Sequence, residues 1–195
     1  MQFIANGELL KLSNDLTFVT ESDLKIKTSL EYYSTRNSHS YRVSHSLDEQ
    51  MSYRDVNISG LSFTNSAIDN EATLSHLTTV LAQTFTDYDF STVSPDQFDL
   101  DSWENVARDI NSLLSSAMGT EYASISQQLW NIIRSLMSEE CEIFSYKPDE
   151  IDDPLVDAIW SFNYFFYSRR KFKLLFFTCV AEMNTDDESD YYDMD

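Results

Sequence analysis

The side chains best suited to chemistry in this chain are two cysteines, Cys141 and Cys179, and three histidines, His39, His45 and His76. A thiol beside an imidazole makes a nucleophile, because the base removes the proton that keeps the sulfur unreactive. The same residue types in a cluster could hold zinc. Their spacing favours neither. The cysteines lie far apart, His39 and His45 sit in a polar stretch, and His76 stands alone in a helical pattern. Buried strand cysteines are therefore expected, with no metal ligand and no catalytic residue assigned. Gly7, Gly60 and Gly119 are scattered and form no phosphate-cradling loop, so no cofactor is assigned either. Carboxylate pairs such as Asp87 with Asp89 and Asp152 with Asp153 could serve acid–base work. In a chain with 33 acidic residues such pairs arise by chance, and solvated turns account for them.

The elements that would position these groups are legible from period and punctuation. A helix is expected at residues 8–16, with Asn6 as its cap. Strands follow at 16–20 and 24–33; in the second, Leu24, Ile26, Thr28 and Leu30 share a face. Residues 35–70 are rich in Ser, Asn and His with no apolar period, and read as a mobile linker. Helical spacing returns three times. Residues 71–85 carry Leu74, Leu77, Leu81 and Phe85; residues 101–118 carry Trp103, Val106, Ile110 and Leu113; residues 124–138 carry Ile125, Leu129, Ile132 and Leu136. Three strands close the pattern at 141–146, 159–167 and 173–180. In the middle one Trp160, Phe162, Tyr164 and Phe166 alternate with Asn163, Phe165 and Tyr167, so both faces are apolar enough to call for cover on both sides or for an exposed aromatic patch on one. The expected architecture is α+β, an antiparallel sheet of about five strands packed against helices, in the order α-β-β-linker-α-α-α-β-β-β.

Composition bounds the rest. The chain has 195 residues, 42% of them hydrophobic, which suits one domain with a substantial core. We expect residues 1–181 to form it, with 182–195 as a disordered acidic tail. No stretch reaches the roughly 18 apolar residues of a membrane span. The opening MQFIANGELLKL lacks a basic segment followed by an apolar one, so reduced thiols are expected. The net charge of −20 repels phosphate, which disfavours direct binding to a nucleic-acid backbone and leaves proteins as the expected partners. Against that background Arg169, Arg170, Lys171 and Lys173 place four of the chain's 13 basic residues within five positions. This local reversal of sign suits partner docking or nuclear import; it also suits a charged hairpin turn that limits edge pairing. In the expected linker Ser38 and Ser44, each near an arginine, are candidate phosphorylation sites.

Several blocks resemble one known family. Residues 160–171 read WSFNYFFYSRRK, with DYDFS at 87–91, QLW at 128–130, CEIFSYKPD at 141–149 and FFTC at 176–179, in that order. Together they resemble the Maf-one family of eukaryotic repressors of RNA polymerase III. The resemblance implies a non-enzymatic protein that binds the polymerase at its clamp and initiation-factor docking region and blocks recruitment to promoters. The B-related initiation factor is a further candidate partner, with regulatory kinases and phosphatases. It also implies shuttling between cytoplasm and nucleus in response to nutrient and stress signalling. Within the matching blocks Asp87, Tyr88, Asp89, Phe90, Trp130, Trp160, Phe162, Asn163, Tyr164 and Phe166 are assigned structural roles. Two readings of other classes stay open at this point: a small-molecule-binding regulatory module, which needs an enclosed polar pocket, and a cysteine-dependent enzyme, which needs an accessible thiol beside a histidine.

Overall fold

A computed structural model describes residues 1–36, 68, 71–149 and 153–184. Helix α1 (Gly7–Asp15) starts at the expected cap: Asn6 Oδ1 accepts from the N–H groups of Glu8 and Leu9 at 2.9 and 3.1 Å. Those are two of the donors that every helix start leaves without a partner. The remaining helices are α2 (Glu71–Thr84), α3 (Trp103–Met118) and α4 (Thr120–Met137). Ser102 caps α3 by accepting from Asn105 N–H. Helix α4 starts four residues before the apolar period suggests. Gly119 alone joins it to α3, at φ 58°, a backbone conformation for which glycine carries no side-chain penalty. None of these helices is long and apolar enough to cross a membrane.

The described strands form one antiparallel sheet. They are β1 (Gln2–Phe3), β2 (Phe18–Val19), β3 (Leu24–Ser34), β4 (Phe98–Asp101), β5 (Glu142–Tyr146), β6 (Trp160–Ser168) and β7 (Lys173–Met183). The order is β1-β3-β7-β6-β5-β4, with β2 beside the other end of β3. The five strands expected from the sequence are all present. Strands β1 and β4 are additions, too short to show an alternating pattern. Strand β7 also runs beyond residue 180: Glu182 faces Lys25 and pairs with Lys27, and Asn184 N–H donates to Asp23 O at 2.9 Å. Any tail therefore starts after Asn184, and residues 185–195 lie outside the described residues.

Helices cover both faces. On one side α1, α3 and α4 pack on Ile26, Leu30, Phe162, Phe166, Leu175 and Phe177. On the other, Leu77, Val80 and Leu81 of α2, together with Phe90, Phe98 and Ile68, cover Tyr33, Phe165, Tyr167, Leu174 and Phe176. The central hairpin β6–β7 contributes to both layers. Phe165, Phe166, Phe176 and Phe177 are all fully buried, each stabilising the fold by roughly 1.5–3 kcal/mol relative to an exposed ring. The ends of the expected linker belong to this core, since Thr35 and Ile68 are both buried.

Among the described residues, no strand lies beside the edge of β3 between β1 and β2. Helix α1 and Thr17, two residues beyond its end, seal this edge with hydroxyl groups. Leu30 N–H donates to Ser13 Oγ at 2.9 Å, and Thr28 N–H donates to Thr17 Oγ1 at 3.0 Å. Each hydroxyl passes its own proton back toward the helix, Ser13 to Leu9 O and Thr17 to Ser13 O.

Candidate functional site

The basic turn joins β6 to β7, where Tyr167↔Leu174 and Ser168↔Lys173 are the last facing pairs. Residues 169–172 close the hairpin, with Phe172 N–H donating to Arg169 O at 3.3 Å. The four cations assigned as partner or import contacts do not share one environment. Arg169 forms a fork on Glu142, with Nε 2.7 Å from Oε2 and Nη2 3.1 Å from Oε1. Arg170 Nη1 lies 3.2 Å from Glu140 Oε2. Lys171 Nζ donates to Leu136 O at 3.3 Å, at the carbonyl-rich end of α4 where a cation is favoured. Lys173 sits instead over the Tyr32 ring, 5.3 Å from its centroid. Arg169, Arg170 and Lys171 are therefore answered by residues 136–142, from the last turn of α4 to the start of β5. The sign reversal seen along the sequence is neutralised in space at Arg169 and Arg170, two of the four cations. These pairs are solvent-exposed, so they orient the turn more than they stabilise it.

The blocks at 87–91, 141–149 and 160–171 meet at the β4–β5–β6 end of the sheet. Phe90 is buried, with its ring 6.1 Å from Tyr146; Phe98 stands 5.2 Å from Tyr146 and 6.1 Å from Phe165. Asn163 Oδ1 accepts Tyr146 N–H at 2.7 Å, continuing the pairing of β5 with β6 where backbone partners end. Asp89 Oδ1 accepts Ser91 N–H at 2.9 Å, a bond to the ionised form that holds its carboxyl below the usual range. Asp87 and Tyr88 are exposed beside it. On the opposite face Trp160, Phe162, Tyr164 and Phe166 enter the larger core, Trp160 and Tyr164 only in part. Burial, reinforced by Asp101 and Asp109, pushes the Tyr164 hydroxyl up to about 12. Trp130 Nε1–H donates to Asn111 Oδ1 at 2.8 Å, and Tyr122 O–H donates to the same oxygen at 2.5 Å. Asn111 thus pins α3 to α4, a role that no spacing pattern announced. Ser38 and Ser44 lie outside the described residues.

The groups considered for chemistry are dispersed. Cys179 is buried and accepts from Thr28 Oγ1 at 3.3 Å; Cys141 is half-buried. Burial pushes both thiols up to about 11, away from the reactive thiolate. His76 Nδ1 lies 3.0 Å from the Tyr167 hydroxyl. Among the described residues, neither thiol has a histidine beside it and no group of acids, histidines and cysteines could hold a metal ion. The cleft beside the basic turn, bordered by Ser138, Glu140 and Arg170, is open to solvent. So is the cleft between α3 and β6, bordered by Asp109, Asn163 and Tyr164. A small-molecule module would call for an enclosed pocket.

An α+β fold of one antiparallel sheet with helices on both faces, several of its motif residues in the core, is that of a family of regulators: the chain belongs to the Maf1 family, whose model, described as Maf1 regulator, matches residues 14–178. A Dictyostelium discoideum protein named repressor of RNA polymerase III transcription is 35% identical over 129 residues, covering 62% of this chain and 46% of that protein. The chain thus spans under half the length of that relative. A Schizosaccharomyces pombe protein, repressor of RNA polymerase III transcription maf1, is 26% identical over 197 residues, covering 90% of this chain and 81% of its own length. Two crystal structures of citrus MAF1, in different space groups, each match at 28% identity with a TM-score of 0.65. They cover 91% and 90% of this chain and 99% of theirs.

Proposed function

We propose that this chain represses transcription by RNA polymerase III, and that it acts as a binding protein on the polymerase itself. The observation that carries the reading is family membership across residues 14–178, together with relatives named for this repression. Mechanistically, the folded domain occupies the clamp and the region where promoter-bound initiation factors dock. Recruitment then fails by steric exclusion. The chain's own charge of −20 adds repulsion against competing DNA near the bound domain. Regulation runs through kinases and phosphatases acting on serines such as Ser38 and Ser44, with movement between cytoplasm and nucleus in response to nutrients and stress.

The test is loss of the gene in its own organism, followed by tRNA precursor levels under starvation. Precursors should rise, and unchanged levels would refute repression. Affinity capture of the full chain from starved cells should bring down polymerase III subunits, and their absence would refute direct binding. Replacing Arg169, Arg170 and Lys171 together with Ala should weaken capture or nuclear entry at unchanged melting temperature. If both survive, the turn is only a solvated connection.

A further inference from the structure

Phe172 occupies a position where its residue type is costly. Its φ is 54°, in the left-handed region that a bulky side chain rarely adopts, and glycine or asparagine would close the same turn with less strain. Burial does not repay the strain, because the ring is 46% exposed. The backbone there is held from outside the turn, since Phe172 O accepts Thr35 N–H at 3.0 Å. Strain that the fold does not use tends to mark a surface that binds something.

What surrounds the ring indicates what it binds. The Arg36 guanidinium lies over it, 5.1 Å from the centroid, and Lys173 lies over Tyr32 on the neighbouring strand. A cation over a ring face is held without a conventional hydrogen bond, so both cations keep their donors. Among the described residues neither has a carboxylate partner, in contrast to Arg169 and Arg170. Two cations with no carboxylate partner among the described residues, Arg36 over the exposed Phe172 and Lys173 at the next position, where β7 begins, make a local site for negative charge in a chain with 33 acidic residues. At physiological salt the field of the remaining acids is screened within about 8 Å, so the local pair decides short-range docking. A nucleic-acid strand, charged along its whole length, would still meet acids beyond the patch. A short acidic segment would not.

We infer that the tip of the β6–β7 hairpin is a docking site for a carboxylate-rich protein segment, with Arg36 and Lys173 taking the carboxylates and Phe172 supplying the apolar anchor. This stands apart from the polymerase reading, and the failure of either leaves the other's test intact. The experiment uses the full chain and fluorescence anisotropy of a short fluorescein-labelled peptide of glutamates around a single leucine. A glutamine peptide of equal length and a labelled single-stranded oligonucleotide serve as comparators. The acidic peptide should bind, more weakly as salt rises, and the glutamine peptide should not. Arg36→Ala with Lys173→Ala should weaken binding about tenfold or more, the loss of about 1.4 kcal/mol. Phe172→Gly suits the turn's φ, so it should weaken binding without lowering the melting temperature. Absence of binding to the native chain would overturn the inference. So would native affinity in both variants, or preference for the oligonucleotide.

Discussion

The two faces of the sheet are covered by different means. The face under α1, α3 and α4 is a helix-on-sheet core of Leu, Ile and Val with a few rings, and its helices are long enough to show their period in the sequence. Among the described residues the other face has one α-helix, α2, and is completed by Phe90, by Phe98 at the start of β4 and by Ile68. Its buried residues are mostly aromatic, Tyr33, Phe98, Tyr146, Phe165 and Tyr167 among them. Large rings let a thin cover bury much apolar surface with few residues. The lesson is that the first face is held by elements, and the second by ring contacts between segments distant in the chain.

That contrast is open to measurement. The largest effect should come from Phe165→Ala, which removes a fully buried ring stacked 4.4 Å from Phe176 and touching Phe98. A loss of about 3–5 kcal/mol is expected in urea unfolding; a value under about 1 kcal/mol would show that the α2 face collapses to fill the gap and is not a ring-built layer. On the opposite face Asn111→Ala leaves Tyr122 O–H and Trp130 Nε1–H without their acceptor. It should cost about 1–3 kcal/mol, while α2 keeps its hydrogen-exchange protection. Equal loss of protection on both faces would erase the distinction.

A smaller effect is tied to pH. Burial, with the Met1 amino group adding, holds the His76 imidazole below its ordinary value. The unfolded chain then binds the proton more readily than the folded one, so stability is whole above about pH 6.5 and falls as pH drops below it. In His76→Gln the part of the acid-side loss that belongs to α2 should vanish, visible as a shallower stability–pH curve between pH 5 and 7. Parallel curves would remove His76 from the account. The smallest effect belongs to Glu140→Gln, which breaks an exposed pair with Arg170. Its melting temperature should match the native chain within error; a clear drop would mean that the turn's ion pairs stabilise the fold.

The sequence-based reading succeeded wherever a pattern was local. The α1 cap needs only Asn6 and the residues after it, and the period of β3 needs only its own alternation. It fell short where the cause was distant. Glu140 and Glu142 stand about thirty residues before the arginines that they neutralise, and nothing in either segment signals the other. Phe172 reads as one apolar residue among cations until its φ is known. Strand β4 exists because β5 offers it an edge, and Ile68 is core because α2 begins three residues later. The motif blocks were visible as a family pattern. The reason for three of them, aromatic closure at the β4–β5–β6 end, is three-dimensional.

The hydroxyl seal along β3 bears on which mutations the chain tolerates. Ser13 is half-buried and Thr17 exposed, and by exposure alone both positions would accept almost any polar residue. Yet each must accept a strand N–H and return a proton to the helix, and only a short hydroxyl side chain does both. In a library of variants these two positions should therefore admit little beyond serine and threonine, and their failures should emerge as self-association through the uncovered strand edge.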